Sequence, residues 1–125
     1  MVAKTANLGA GSAIKSEANG DLSREIVTIV SGSGKLPANM VLGKITATGK
    51  YKPYDDNNTD GSETAAAILV YDVDATSADV QALVIFRLAE VFQNRLQWAS
   101  TVAAGEKTTA YADLAAAGKL IVMRT

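Results

Sequence analysis

The chain has no cysteine and no histidine. Without thiols there are no disulfides, no thiolate metal sites and no thiol nucleophile, so any robustness must come from packing or assembly. Without imidazole the commonest metal ligand is gone, and with it the base of a serine triad and the only side chain that ordinarily titrates near neutrality. An excess of basic charge is also missing, since 12 Lys and Arg stand against 13 Asp and Glu for a formal net charge of -1. Surfaces that hold a nucleic-acid backbone are strongly basic, so nucleic acid is not an expected partner. No apolar run is long enough to span a bilayer, and no signal-length apolar segment opens the chain; a membrane is not expected, and synthesis and folding in a cytoplasm are.

What is present describes a globular protein. The 125 residues are 48% hydrophobic and 20% charged, enough for one domain with a modest core. Residues 1–24 are rich in glycine and small polar residues and show no period of 2 or 3.6. They are read as a flexible N-terminal arm, with Leu8 and Ile14 as candidate anchors should the arm order on a partner.

From residue 25 to 125 a folded domain is expected. The segment Arg24-Glu25-Ile26-Val27-Thr28-Ile29-Val30 is β-branched and reads as a strand covered on both faces. A second strand is expected over Met40 to Thr48, broken at Gly43, and Tyr51, Pro53 and Tyr54 lead into a polar loop. Ala65 to Val73 is a third strand, and Ala82 to Leu88, continued through Val91 and Phe92, a fourth and a fifth. Helix formers dominate from Gly105 to Ala117, with Ala110, Tyr111 and Leu114 on one face and Gly118 placed to cap the end. Leu120 to Arg124 returns to strand composition and must pair to avoid being a sticky edge. The fold class is therefore mainly β, an α+β chain with one short C-terminal helix.

The motifs that suggest chemistry are incomplete. Gly32-Ser33-Gly34-Lys35 lacks the first glycine of a phosphate loop, where Ile29 stands, and the hydroxyl after the lysine, where Leu36 stands; it reads as a turn. Asp56, Asn58, Asp60 and Gly61 imitate the first half of a calcium loop. The bidentate Glu of its twelfth position is replaced by Ala67, which favours an Asx-type turn over a calcium-binding module. Asp72, Asp74 and Asp79 fall in turns where Asp bonds local backbone, and Phe92 and Trp98 are expected in a core or a subunit interface. No catalytic residue, cofactor or metal ligand is assigned, and the chain is not expected to be an enzyme.

The succession of segments from Arg24 onward resembles the bacteriophage lambda head decoration protein family. The residues concerned are Leu42-Gly43-Lys44-Ile45, Gly49-Lys50-Tyr51-Lys52-Pro53-Tyr54-Asp55, Asp60-Gly61-Ser62-Glu63-Thr64-Ala65 running into Ile68-Leu69, and Val84-Ile85-Phe86-Arg87-Leu88-Ala89-Glu90-Val91. Ala112-Asp113-Leu114-Ala115-Ala116-Ala117-Gly118 followed by Ile121-Val122 is similar to the family's closing helix and strand; Lys119-Leu120 is extra relative to many members. The resemblance implies a β-clip or small β-sandwich-like capsid decoration domain. It also implies homotrimers that bind the major capsid protein at local threefold positions on the outer surface of the expanded phage head, and stabilise it. An arm that orders on the capsid by strand addition is part of that expectation. Capsid contact is accordingly expected at Leu8, Ile14, Arg24, Ile26, Val27 and Ile29. Another oligomeric virion part, from a tail or fibre base, is the alternative.

Overall fold

The structure, a computed structural model, describes residues 9–20, 22–116 and 119–125. Among the described residues, ten strands, a short 3-10 turn (Gln93–Arg95) and one α-helix succeed one another, the strands and α-helix in chain order being β1 (Ile14–Glu17), β2 (Arg24–Ile29), β3 (Gly34–Leu36), β4 (Val41–Lys44), β5 (Tyr51–Pro53), β6 (Ala65–Leu69), β7 (Val73–Ala75), β8 (Val80–Ile85), β9 (Ala89–Phe92), α1 (Ala104–Ala115) and β10 (Ile121–Arg124). The expected mainly β class with one short C-terminal helix is what the structure shows. Five strands close a barrel in the order β2-β5-β4-β6-β8, β1-β9-β10 form a second sheet beside it, and β3 and β7 make a separate pair.

Several expected strands are shorter than their composition suggested. The one begun at Met40 stops at Lys44, because Ile45 donates its N–H to Lys50 O (2.8 Å) and Gly49 donates back to Ile45 O (2.8 Å), closing Ile45 to Lys50 into a tight turn. Tyr51–Pro53, expected as a lead into a loop, is strand β5, with Pro53 at its end opposite Leu42. The run from Ala65 to Val73 divides at Asp72, whose carboxylate accepts the N–H of Ala38 (2.6 Å). The terminal strand pairs as anticipated: β10 runs parallel to β9, Ile121 opposite Ala89. Gly118, the expected helix cap, lies outside the described residues.

Strand β2 departs from the expectation of cover on both faces. Ile29 is fully buried in the barrel, whereas Ile26 on the opposite face is 59% exposed. The strand buried on both faces is β6, all five of whose residues are buried. Ala67 and Leu69 point into a barrel core with Ile29, Leu42, Tyr51 and Val84. Ala65 and Ile68 join the second core with Tyr54, Val91, Leu114 and Ile121, against which α1 packs. Ala110 and Leu114 are both fully buried, so the helical face read from the sequence is the one that seats the helix.

Two glycines allow the loop before β6 to lie on the barrel. A Cβ at Gly43 would overlap the backbone of Ser62, its Cα at 2.6 Å, and one at Gly61, where φ is +110, would meet Lys44 O at 2.6 Å. Neither neighbour is the movable end of a side chain. Gly43→Ala should therefore lower stability by roughly 1–3 kcal/mol, the usual cost of overpacking, seen as an earlier urea midpoint with an unchanged slope.

Candidate functional site

The polar loop from Asp55 to Glu63 is organised by its own carboxylates. Asp55 Oδ1 accepts the Asn57 N–H (2.9 Å), and Asp60 Oδ1 accepts the Ser62 hydroxyl (2.6 Å) and N–H (3.1 Å). The Lys52 ammonium sits 3.2 Å from the second Asp60 oxygen. These Ser62 hydrogen bonds, with help from Lys52, hold the Asp60 carboxyl down to about 2. Asp56 lies beside the Tyr54 hydroxyl (3.4 Å), and that hydroxyl is 3.0 Å from Glu106 O on the first turn of α1. Burial, then the neighbouring Asp56, pushes the phenol up to about 12, so it stays protonated and works as a donor. At the far end of the helix Asp113 accepts the Ala65 N–H (3.0 Å). Of the residues that suggested a calcium loop, Asp60 is thus spent on Ser62 and Lys52 and Asp56 on the Tyr54 hydroxyl, while Tyr54 and Asp113 fasten the helix.

Asp72, Asp74 and Asp79 are engaged in the same manner. Asp74 accepts the N–H (3.0 Å) and hydroxyl (2.5 Å) of Thr76, while Asp79 accepts the Ser31 N–H (2.8 Å) and pairs with Lys50 (2.6 Å). Trp98 stands edge-on between Tyr54 (6.2 Å) and Tyr111 (5.8 Å) and packs against the second core. Phe92 carries the Arg95 guanidinium over its ring (4.6 Å).

The N-terminal turn is tied down by one side chain that no sequence pattern marked. Asn39, at φ 72 and 1% exposed, accepts the Ala13 N–H (3.2 Å) and donates to Gly9 O (3.0 Å) and Ser12 Oγ (3.1 Å). Gly11 donates to Val70 O (3.0 Å), Phe92 donates to Ala13 O (2.7 Å), and Ala13 is fully buried. Strand β1 begins at once, antiparallel to β9.

The six expected contact residues therefore have different fates. Leu8 lies outside the described residues. Ile14 packs against the second core from β1, and Val27 and Ile29 face the barrel interior. Arg24 forms a two-pronged pair with Glu17 (2.9 and 2.7 Å) that joins β2 to β1. Of the five that are described, Ile26 alone presents a large, mostly exposed apolar side chain to solvent. Besides Tyr71 (52% exposed) and Val122 (38%), sequence reading passed over three leucines: Leu22 (59%), Leu120 (49%) and Leu88 (38%). They meet near one end of β9 and β10: Leu88 donates its N–H to Lys119 O (2.7 Å), and Leu22 O accepts from Arg87 (2.6 Å). Leu88 and Leu120 both take φ 55, a region bulky side chains avoid. Apolar runs look like core in a sequence, and only the positive φ turns these side chains outward.

Exposed leucine and isoleucine on a rigid β body, with the acidic loops committed to internal bonds, define a structural module that works through its surface. The sequence agrees with a known group of such modules: the family model for the bacteriophage lambda head decoration protein D matches residues 3–119. The chain belongs to that family, and is a structural capsid decoration protein of a bacteriophage virion. The match reaches into the leader, well before the Arg24 at which the resemblance began, and stops short of β10. No curated protein matches the chain significantly.

Two outcomes test the local analysis. Asn39→Gly keeps the backbone angle but strands the buried Ala13 N–H, and should cost roughly 1–3 kcal/mol with faster amide exchange at Ala13. Asp60 is a depressed carboxyl, so its contribution is complete above its ordinary pKa of 3.8 and is lost as pH falls toward about 2. In Asp60→Asn, acid unfolding curves should be flatter across that window, while the neutral-pH fold persists.

Proposed function

We propose that the protein binds the outer surface of the expanded phage head as a homotrimer at local threefold positions, with the major capsid protein as partner, and stabilises the shell there. Membership of the decoration family is the observation that supports this most directly. The surface is consistent with it: Leu22, Leu88 and Leu120 lie exposed near one end of β9 and β10, and Ile26 is exposed on β2, as expected for a body that docks.

The proposed contacts are the N-terminal arm within residues 1–24 and the outward side of β2. In the described part of that stretch Ala13 is buried and β1 is paired with β9, so a docking mode that leaves β1 in place avoids breaking a formed ladder. Leu8, Arg24 and Ile26 are then the contact residues of this region, with Ile14, Val27 and Ile29 supporting them from inside. Ordering an arm costs roughly 1–2 kcal/mol per residue in backbone entropy, so a single arm binds weakly. Three arms on one trimer act at an effective concentration that raises avidity by roughly 10² to 10⁴. A trimer that binds the expanded lattice and not its precursor stabilises the expanded state by linkage alone. The protein is made in the host cytoplasm and resides on the virion exterior in this reading.

Heads lacking the protein, mixed with purified material and imaged by electron microscopy, should gain protrusions at the local threefold positions and resist heating better. A mass measurement should return three chains per particle in the free protein. Deleting residues 1–8 should leave the fold intact while affinity for heads falls by roughly 10²-fold or more; undiminished affinity would put the contact elsewhere, and absence of protrusions would overturn the decoration mode itself.

A further inference from the structure

The barrel is closed but not sealed. β5 meets β2 at a single position, Ile29 opposite Tyr51, whereas β8 runs beside β2 along its whole length. Hydrogen bonds settle which way the β2 backbone points. Phe86 donates to Ser23 O (2.7 Å), directly across the β2–β8 register, and Val70 donates to Leu83 O (3.0 Å) across β6–β8. Antiparallel bonding alternates, so Glu25, Val27 and Ile29 bond to β8 while Arg24, Ile26 and Thr28 face the other way. Val30, next in that set, donates to Tyr51 O (2.9 Å). The N–H and C=O of Ile26 and the N–H of Thr28 therefore open into a groove of ≈ 370 Å³ that Lys44, Gly49, Tyr51 and Phe86 also line.

Glu25 also lines the groove but is paired with Arg87, which leaves the unpaired charge there basic. Lys119 holds its ammonium 4.0 Å from the centre of the Phe86 ring, and Arg87 stacks on the same ring at 4.9 Å. Arg87 is matched by Glu25 (3.0 Å). Among the described residues neither Lys44 nor Lys119 has a carboxylate at ion-pair distance. The nearby Glu63, which lines a neighbouring cleft with both lysines, has one oxygen bonded to the Gly61 N–H (2.8 Å). Burial and the proximity of Lys44 and Arg87 push the Lys119 ammonium below its ordinary pKa, as expected of cations crowded without a counter-charge.

We infer that this edge receives an extended acidic segment of the capsid protein, which pairs with Ile26 and Thr28 as an added strand and sets a carboxylate beside Lys44 and Lys119. An open edge offers main-chain bonds that demand little of the incoming sequence, and the two lysines supply the demand for negative charge. Ile26, exposed next to Leu83 on the outer face, gives the entering segment an apolar flank. The inference rests on the decoration reading, but it reverses the direction of strand donation expected for the arm: here the shell donates and the barrel accepts.

The experiment compares wild type, Ile26→Pro, Ile26→Ala and the Lys44→Glu/Lys119→Glu double variant for binding to heads lacking the protein. Amide exchange of residues 24–29 is measured free and bound. Proline at 26 removes an outward N–H and leaves the β8 ladder whole, so Ile26→Pro should fold yet lose roughly tenfold or more in affinity, with Ile26→Ala losing less. The double variant should lose a similar factor, and wild-type binding should weaken with salt. The outward amides of Ile26 and Thr28 should become protected on heads, a readout that holds even if Ile26→Pro does not fold. Wild type that binds while the Ile26 and Thr28 amides stay unprotected, or a folded double variant that binds as tightly as wild type, overturns the inference and leaves decoration standing. Wild type that does not bind heads overturns both.

Discussion

The structure depends on β6 having no solvent face. A strand shared by two cores must be apolar on every side chain and small wherever both layers crowd it, and Ala65-Ala66-Ala67-Ile68-Leu69 meets both conditions. The register slip between Leu42 and Gly43 places Ala66 as an extra residue opposite β4, a bulge that bends the strand as a small barrel requires. One face of β6 then completes the barrel while the other supports α1 and the β1-β9-β10 sheet. Because these layers lean on one wall, the polar loop from Asp55 to Glu63 has no freedom of its own. It is held between Gly43, Lys44 and the first turn of α1, and its carboxylates serve that attachment.

The same constraint governs the surface. A barrel of five short strands closes with difficulty, and here the weak seam falls between β2 and β5, where a single bridge spans the gap. Ile26 and the outward backbone of β2 are the consequence, since the interior is already filled by Ile29, Val27 and Phe86. Such an open edge is an association hazard in a free protein; on a partner it becomes a means of attachment. The exposed leucines at 88 and 120 have a comparable origin. Leu88 and Leu120 immediately precede β9 and β10, and the sharp entry into these paired strands forces a positive φ that turns them outward. Strain and apolar exposure occurring together point to surfaces kept for contact.

For a decoration protein without cysteines or a large core, rigidity comes from many modest cross-links. Asn39 ties the N-terminal turn to the barrel, Arg24 and Glu17 tie β2 to β1, Tyr54 and Asp113 tie the two ends of α1, and Arg124 with Glu90 (2.6 Å) joins β10 to β9. The surface pairs among them are worth little singly. What they do is fix where the N-terminal segment leaves the body, and so, in the proposed trimer, where its attachment points lie. Multivalent attachment rewards that fixity, because the gain in effective concentration vanishes when tethers cannot reach their sites together.

By itself the sequence determined the mainly β class, the helical face of Ala110 and Leu114, the pairing need of the final strand and the family, since alternation, helical spacing and an ordered set of short motifs are local properties of the chain. It also determined what the protein lacks, because a missing histidine or thiol cannot be restored by folding. Only the tertiary structure decided that Ile26 faces solvent while Ile29 does not, that the glycine-poor stretch Ile14–Glu17 is a strand, and that Asn39 is the fastener of the N-terminal turn. Burial on the second face of a strand, and the partners of a side chain 26 residues away, depend on which layers meet, and that is a property of the closed barrel instead of any window of sequence.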